Sequence, residues 1–182
     1  LINQDIPDTT LVGAWVGKHN GVGLLGDPDG SAATYVTPRN TTVAYEGKFG
    51  TFGTDGAYAV AAINKSIPNT TVQAWYYNVC NIADAYWLQA DTKVMNMINL
   101  GAQYASMNPD NVADDRSTDM FALKASVDVS GVNVYGAYSS VSDGTLGFAN
   151  VATGDKTMMY TGLASVYFDG EIVSAPDTDA WK

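Results

Sequence analysis

An antiparallel, all-β transmembrane barrel is the fold class that this sequence predicts, and three observations predict it. Charge is scarce: Asp, Glu, Lys and Arg make up 15% of the 182 residues, against roughly 25% in soluble globular domains. Runs with a period of two recur along the chain, as in strands whose side chains point alternately to opposite faces. The connections between these runs alternate between tight and long, as they do in a meander whose two rims differ. Together they predict about eight or nine strands in a single barrel portion over residues 1–182.

The elements follow in order. The chain opens on Ile2-Asn3-Gln4-Asp5-Ile6-Pro7-Asp8-Thr9-Thr10, which returns as Ile63-Asn64-Lys65-Ser66-Ile67-Pro68-Asn69-Thr70-Thr71, and each copy runs on into an Ala-Trp pair. Proline followed by Asp or Asn presets φ and lets a short side chain bond the backbone, so a tight hairpin is expected twice, with Thr-Thr restarting a strand. Thr70 to Val79 is dense in β-branched and aromatic residues and reads as a strand. Met97 to Tyr104 alternates Ile98, Leu100, Ala102 and Tyr104 against Asn99 and Gln103. Phe121 to Val129 sets apolar odd positions against Lys124, Ser126 and Asp128, and Ser130-Gly131 turns it into Val132 to Ser139. Met158 to Phe168 is a further alternating run.

Tight connections are expected near Ser66–Asn69, Asp91–Val94, Val129–Gly131 and Asp169–Glu171, and longer polar ones at Asn20–Gly56, Met107–Thr118 and Ser142–Asp155. Cys80 to Ala83 belongs to the long rim and is nevertheless short. The apolar faces carry small and aliphatic residues with aromatics near strand ends, as in Leu100-Ala102-Tyr104 and Val134-Gly136-Tyr138, which suits a lipid band bordered by aromatic girdles. Ile98, Leu100, Ala102, Leu123, Ala125, Val127, Val134 and Gly136 are therefore expected to face lipid. Asn99, Gln103, Lys124, Ser126, Asp128 and Asn133 are expected on the opposite face. A membrane helix needs about 18 apolar residues in a row, and the best run, Ala57 to Ile63, is far shorter.

Composition also excludes partners. The net charge of −10 and pI near 4.2 repel a phosphate backbone, so nucleic acid is not an expected partner. Cys80 stands alone, which forbids an intrachain disulfide, and it reads as a small buried apolar residue. His19 is the single histidine and has no recognisable nucleophile, so no catalytic residue is assigned and the chain is not read as an enzyme. Asp27 and Asp29 stand in a segment like the first half of a calcium loop, without the later Glu that would complete it. Asp110, Asp114, Asp115 and Asp119 crowd a second loop, where calcium would relieve repulsion; plain solvated loops are the default at both places. No other cofactor is expected.

Leu11-Val12-Gly13-Ala14-Trp15-Val16-Gly17-Lys18-His19-Asn20, the repeated Ile-Pro-x-Thr-Thr turns, and Ala85-Tyr86-Trp87-Leu88-Gln89-Ala90-Asp91 followed by Leu100-Gly101-Ala102-Gln103-Tyr104 resemble the OprD-like porins and major outer-membrane proteins of Gram-negative bacteria. The resemblance lies in texture and strand order and covers most of the chain. It implies a single-chain barrel of about sixteen to eighteen strands, often trimeric, which needs roughly twice this length. The chain is then expected to be an internal or trimmed portion, in keeping with the absence of a signal peptide and of a terminal aromatic at the end Trp181-Lys182, with a complete eight-stranded barrel as the alternative.

On this resemblance the expected function is passive diffusion of small hydrophilic solutes through a water-filled outer-membrane channel. The expected partners are membrane lipid, lipopolysaccharide, solutes and cations, with the protein as a homotrimer. Acidic loops and lumen should favour cations. The long loop over residues 20–56 is expected to fold into or over the pore and bring Lys18, Arg39, Glu46 and Lys48 to the constriction. The competing expectation is a secreted or surface-attached all-β binding module, an adhesin or lectin-like sandwich, whose apolar faces would be sealed between two sheets.

Overall fold

The computed structural model describes residues 1–19, 50–51, 56–80, 83–110, 117–143, 159–162 and 177–182. These form strands β1 (Ile2–Asn3), β2 (Thr9–Val16), β3 (Lys18–His19), β4 (Gly50–Thr51), β5 (Ala57–Asn64), β6 (Thr70–Val79), β7 (Ala83–Val94), β8 (Ile98–Pro109), β9 (Thr118–Val129), β10 (Val132–Val141) and β11 (Asp179–Trp181). Nine of them make one antiparallel sheet in the order β1-β2-β5-β6-β7-β8-β9-β10-β11, while β3 pairs with β4 alone. Every strand of the large sheet lies beside its predecessor in that sheet, so the topology is a pure meander. No helix among the described residues is long and apolar enough to cross a membrane.

The turns form where the sequence places φ-setting residues. In both repeat copies the Thr after the turn donates its backbone N–H to the Ile before Pro, Thr9 to Ile6 and Thr70 to Ile67, each at 3.1 Å. Asp8 and Asn69 take the positive φ that the turn needs, 54° and 56°, and short polar side chains tolerate it best. Asn3 and Asn64 then accept the backbone N–H of Asp5 and Ser66 through their side chains, at 3.3 and 3.1 Å. Between β9 and β10, Ser130 and Gly131 both have positive φ, 51° and 83°, the type I′ geometry whose twist matches a two-residue hairpin.

Register decides the faces. Leu100 pairs with Ala125, Ala125 with Gly136, and Val127 with Val134, which sets the eight residues read as lipid-facing on one side. That side is uncovered: Leu123 is 51% exposed and Val134 61%, whereas Ala122 and Ser139, on the other side, are 0% exposed. In water such a face would forgo roughly 1.5 to 3 kcal/mol for each large side chain left unburied. In hydrocarbon it forgoes nothing. A sandwich would have sealed these residues against a second sheet, so the adhesin-like architecture is not the one found.

A threefold motif edges the uncovered face near the long connections. Tyr76, Tyr104 and Tyr138 face Tyr86, Phe121 and Trp181 across β6/β7, β8/β9 and β10/β11. Each phenol donates to an aspartate two residues before that aromatic partner: Asp84 at 2.7 Å, Asp119 at 2.9 Å and Asp179 at 2.8 Å. Each pairing joins an apolar ring to a polar anchor at one height, as an interfacial girdle requires. The β2/β5 pair carries a reduced copy, in which Trp15 faces Tyr58 and glycine replaces the polar partners. There a Cβ on Gly56 would lie 2.8 Å from the Trp15 indole nitrogen, so the larger ring occupies the space.

Four expectations need correction. The third tight turn lies at Met95–Met97, not Asp91–Val94, because β7 continues through Asp91 and Lys93, whose side chains belong to the covered face. In the Met158–Phe168 run, Met159–Gly162 is a turn closed by Gly162 N–H on Met159 C=O at 2.9 Å, not a strand; the rest of that run lies outside the described residues. Cys80 is half-buried, not fully buried, with its thiol 3.5 Å from the Asn78 side-chain oxygen. Asp119 belongs to β9 on the uncovered face, bound to Tyr104, so it is no member of a loop cluster.

The face assignment is tested by charge. In a barrel containing this chain, Leu123→Arg is expected to cost roughly 2 to 4 kcal/mol near the bilayer midplane, because guanidinium is forced into hydrocarbon. Ser126→Arg, on the covered face, is expected to cost far less. Equal penalties in a refolding titration from lipid vesicles would overturn the assignment.

Candidate functional site

The covered face divides along the strands into two zones. Toward the tight turns it is polar, and this zone brings together all six residues read from the sequence: Asn99, Gln103, Lys124, Ser126, Asp128 and Asn133. Toward the long connections it is apolar, built from Trp87, Ala105, Met120, Ala122, Val141 and Met159, with Trp75, Tyr77 and Met107 against them. The sequence reading did not foresee this second zone. Its signal was the company of tryptophan and glutamine at alternate positions, Gln73-x-Trp75 and Trp87-x-Gln89.

The two zones are joined by those pairs. Trp75 and Trp87 face each other across β6 and β7, and their indole N–H groups donate to Gln73 at 2.9 Å and Gln89 at 3.1 Å. A buried indole keeps its single donor satisfied in this way while its ring stays in the apolar zone. Gln89 then accepts from Gln103 at 3.1 Å and donates to Asp91 at 2.6 Å. Asp91 also takes the Lys124 ammonium at 2.6 Å. Nearer the turns, Asn99 reaches Ser126 at 3.2 Å and Asp128 at 3.3 Å, and Asn133 donates to Asp128 at 2.6 Å.

The result is a cross-strand ladder of amides, carboxylates and one ammonium over β7, β8, β9 and β10. Its charges balance: the described strands place Asp91 and Asp128 on this face against Lys93 and Lys124. Groups held in such a ladder are fixed as donors and acceptors. A shallow groove lined by Thr71, Asp91, Asn99, Lys124, Ser126 and Tyr135 opens on it.

Other expected site residues are placed elsewhere. Arg39, Glu46, Lys48, Asp27, Asp29, Asp114 and Asp115 lie outside the described residues. Of Lys18 the backbone is described, paired with Thr51 in β3/β4. Asp110 is exposed just beyond β8, and among the described residues no group of three or more His, Cys, Asp or Glu could hold a metal ion.

An apolar outer face bounded by aromatics, backed by a polar inner face, defines the wall of an antiparallel membrane β-barrel, and solved structures agree. OccK3 (OpdO) of Pseudomonas aeruginosa matches 99% of this chain with a TM-score of 0.68 at 14% identity. OccK8 (OprE) of the same organism gives 0.62 at 13%, and OccAB3 of Acinetobacter baumannii 0.59 at 13%. These neighbours are outer-membrane porins of the OprD (Occ) family. The chain spans 44%, 49% and 42% of their respective lengths, so it corresponds to part of a barrel. No protein-family model matches the chain, and no curated protein matches it by sequence.

The apolar zone is tested at Trp87, which is 4% exposed. Trp87→Ala is expected to cost about 3 to 5 kcal/mol, the range for deleting a packed aromatic. Urea unfolding from vesicles measures it, and a change within about 0.5 kcal/mol, typical of surface sites, would show that the ring carries no packing.

Proposed function

We propose that this chain forms part of the wall of an outer-membrane porin, whose water-filled channel passes small hydrophilic solutes by passive diffusion with a preference for cations. One observation carries the reading: the sheet has an uncovered apolar face edged by aromatics and, behind it, a hydrogen-bonded polar ladder. The first needs lipid; the second offers a polar solute partial replacement of its hydration. The role is a channel's and not an enzyme's.

The sign of the selectivity comes from the connections. Asp91, Asp128, Lys93 and Lys124 cancel on the inner face, whereas the whole chain carries −10. The excess carboxylates therefore sit mainly off the described lumen wall, where they lower the potential at the channel mouth and concentrate cations. The loop over residues 20–56, with Lys18, Arg39, Glu46 and Lys48, is part of this mouth in the proposal, supported by its length. Lipid and lipopolysaccharide are the neighbours of the outer face, whose rim presents Asp84, Asp119 and Asp179. A homotrimer follows from the resemblance, and cross-linking in native membranes tests it.

The channel is tested in a planar bilayer with a full barrel containing this chain. Under a salt gradient the reversal potential is expected to show K⁺ passing more readily than Cl⁻. The preference should shrink with salt, because the Debye length falls from about 30 Å at 0.01 M to about 3 Å at 1 M. Neutralising Asp110, Asp114 and Asp115 together should weaken it. Anion selectivity would overturn the sign, and no conductance from a folded barrel would overturn the channel.

A further inference from the structure

The groove on the covered face, toward the tight turns, has a volume of about 360 Å³, near the lower end of the range for small-molecule sites. Register sets its lining in two rows. Thr71, Asp91 and Lys124 stand in one, and Lys93, Asn99, Ser126 and Tyr135 in the next, two residues further along the strands. Tyr135 is 37% exposed, and its hydroxyl donates to the Tyr160 carbonyl at 2.5 Å, which fixes the ring at the groove wall.

The two charges of the first row are engaged with each other. Asp91 takes the Lys124 ammonium at 2.6 Å, the Gln89 amide at 2.6 Å and the Tyr160 hydroxyl at 2.8 Å. A charged solute would have to part that half-buried ion pair, which is costly, or lie beside it unpaired. The hydroxyls of Thr71 and Ser126 and the amide of Asn99 are of another kind, since such groups both donate and accept. Asn99 donates to Ser126 at 3.2 Å, so the two are held in place together. A sugar hydroxyl likewise donates and accepts, and the C–H face of a sugar ring is apolar enough to lie on an aromatic ring.

We infer that this groove is a subsite for a neutral polyhydroxylated solute of monosaccharide size. Tyr135 is the platform for its ring, and Thr71, Asn99 and Ser126 are the partners of its hydroxyls. The inference rests on the porin reading and names the class of solute that such a channel would hold on its wall.

Blockade of the ion current through the full barrel tests this, in about 1 M KCl, where a Debye length of about 3 Å screens the charges at the mouth. The probes are glucose, glucosamine and glucuronate, which share a ring and differ in charge. Glucose is expected to block several-fold more tightly than either charged analogue. Tyr135→Leu removes the platform and Asn99→Leu the amide, so that either variant serves if the other fails to fold. Each is expected to weaken the glucose block several-fold, and Tyr135→Phe, which keeps the ring face, to retain it. Glucuronate blocking as tightly as glucose would move recognition to the exposed Lys93, and glucosamine doing so would move it to a carboxylate; either result overturns the neutral class. A conducting parent that glucose does not block, or folded leucine variants blocked as the parent is, would overturn the subsite. A parent barrel that passes no current would instead overturn the porin reading.

Discussion

Everything in this sheet depends on one constraint: inside hydrocarbon, a backbone N–H or C=O without a protein partner costs several kcal/mol. A meander meets it at the lowest sequence separation, since each strand pairs with its neighbour through a turn or loop and all strand pairings of the large sheet are antiparallel. The same rule governs the irregular pieces. Asn3 and Asn64 bond the backbone at the two repeated hairpins, and Gln103 and Tyr135 do so for the turn at Tyr160.

Once the backbone is paired, side chains fall alternately on two faces and each face meets a different solvent. The outer face tolerates only apolar side chains between its rims, and polar groups return at the height of Asp84, Asp119 and Asp179, where phenols bind them. The inner face has more freedom. It carries both a packed aromatic and methionine zone and a polar ladder, and the two meet at Trp75–Gln73 and Trp87–Gln89, where an indole belongs to one zone by its ring and to the other by its N–H.

Charge is distributed by the same logic. Carboxylates and ammonium groups on the inner wall are held as balanced pairs and hydrogen-bonded carboxylates, Asp91 with Lys124 and Asp128 with Asn99 and Asn133. Isolated charges in a low-dielectric wall are costly, while paired ones are tolerated. Off this wall, Asp84, Asp119 and Asp179 are held by phenols at the aromatic rim of the other face.

The sequence by itself determined the all-β meander, the identity of the two faces and the repeated Ile-Pro-x-Thr-Thr turns, because strand period and turn chemistry are local properties read over a few residues. It also holds the signal of the aromatic rim: Asp84-Ala85-Tyr86, Asp119-Met120-Phe121 and Asp179-Ala180-Trp181 share one spacing. The strand length of β7 was hidden, since Asp91 and Lys93 look like turn residues until Lys124, a distant residue in the chain, supplies the partner that keeps Asp91 in the strand. Tertiary structure alone decided that Met159–Gly162 is a turn. Its alternation suits a strand, but Gly101, Gln103 and Tyr135 build a socket for Tyr160 from residues 25 to 59 positions away, and no local pattern reports contacts made over such separations.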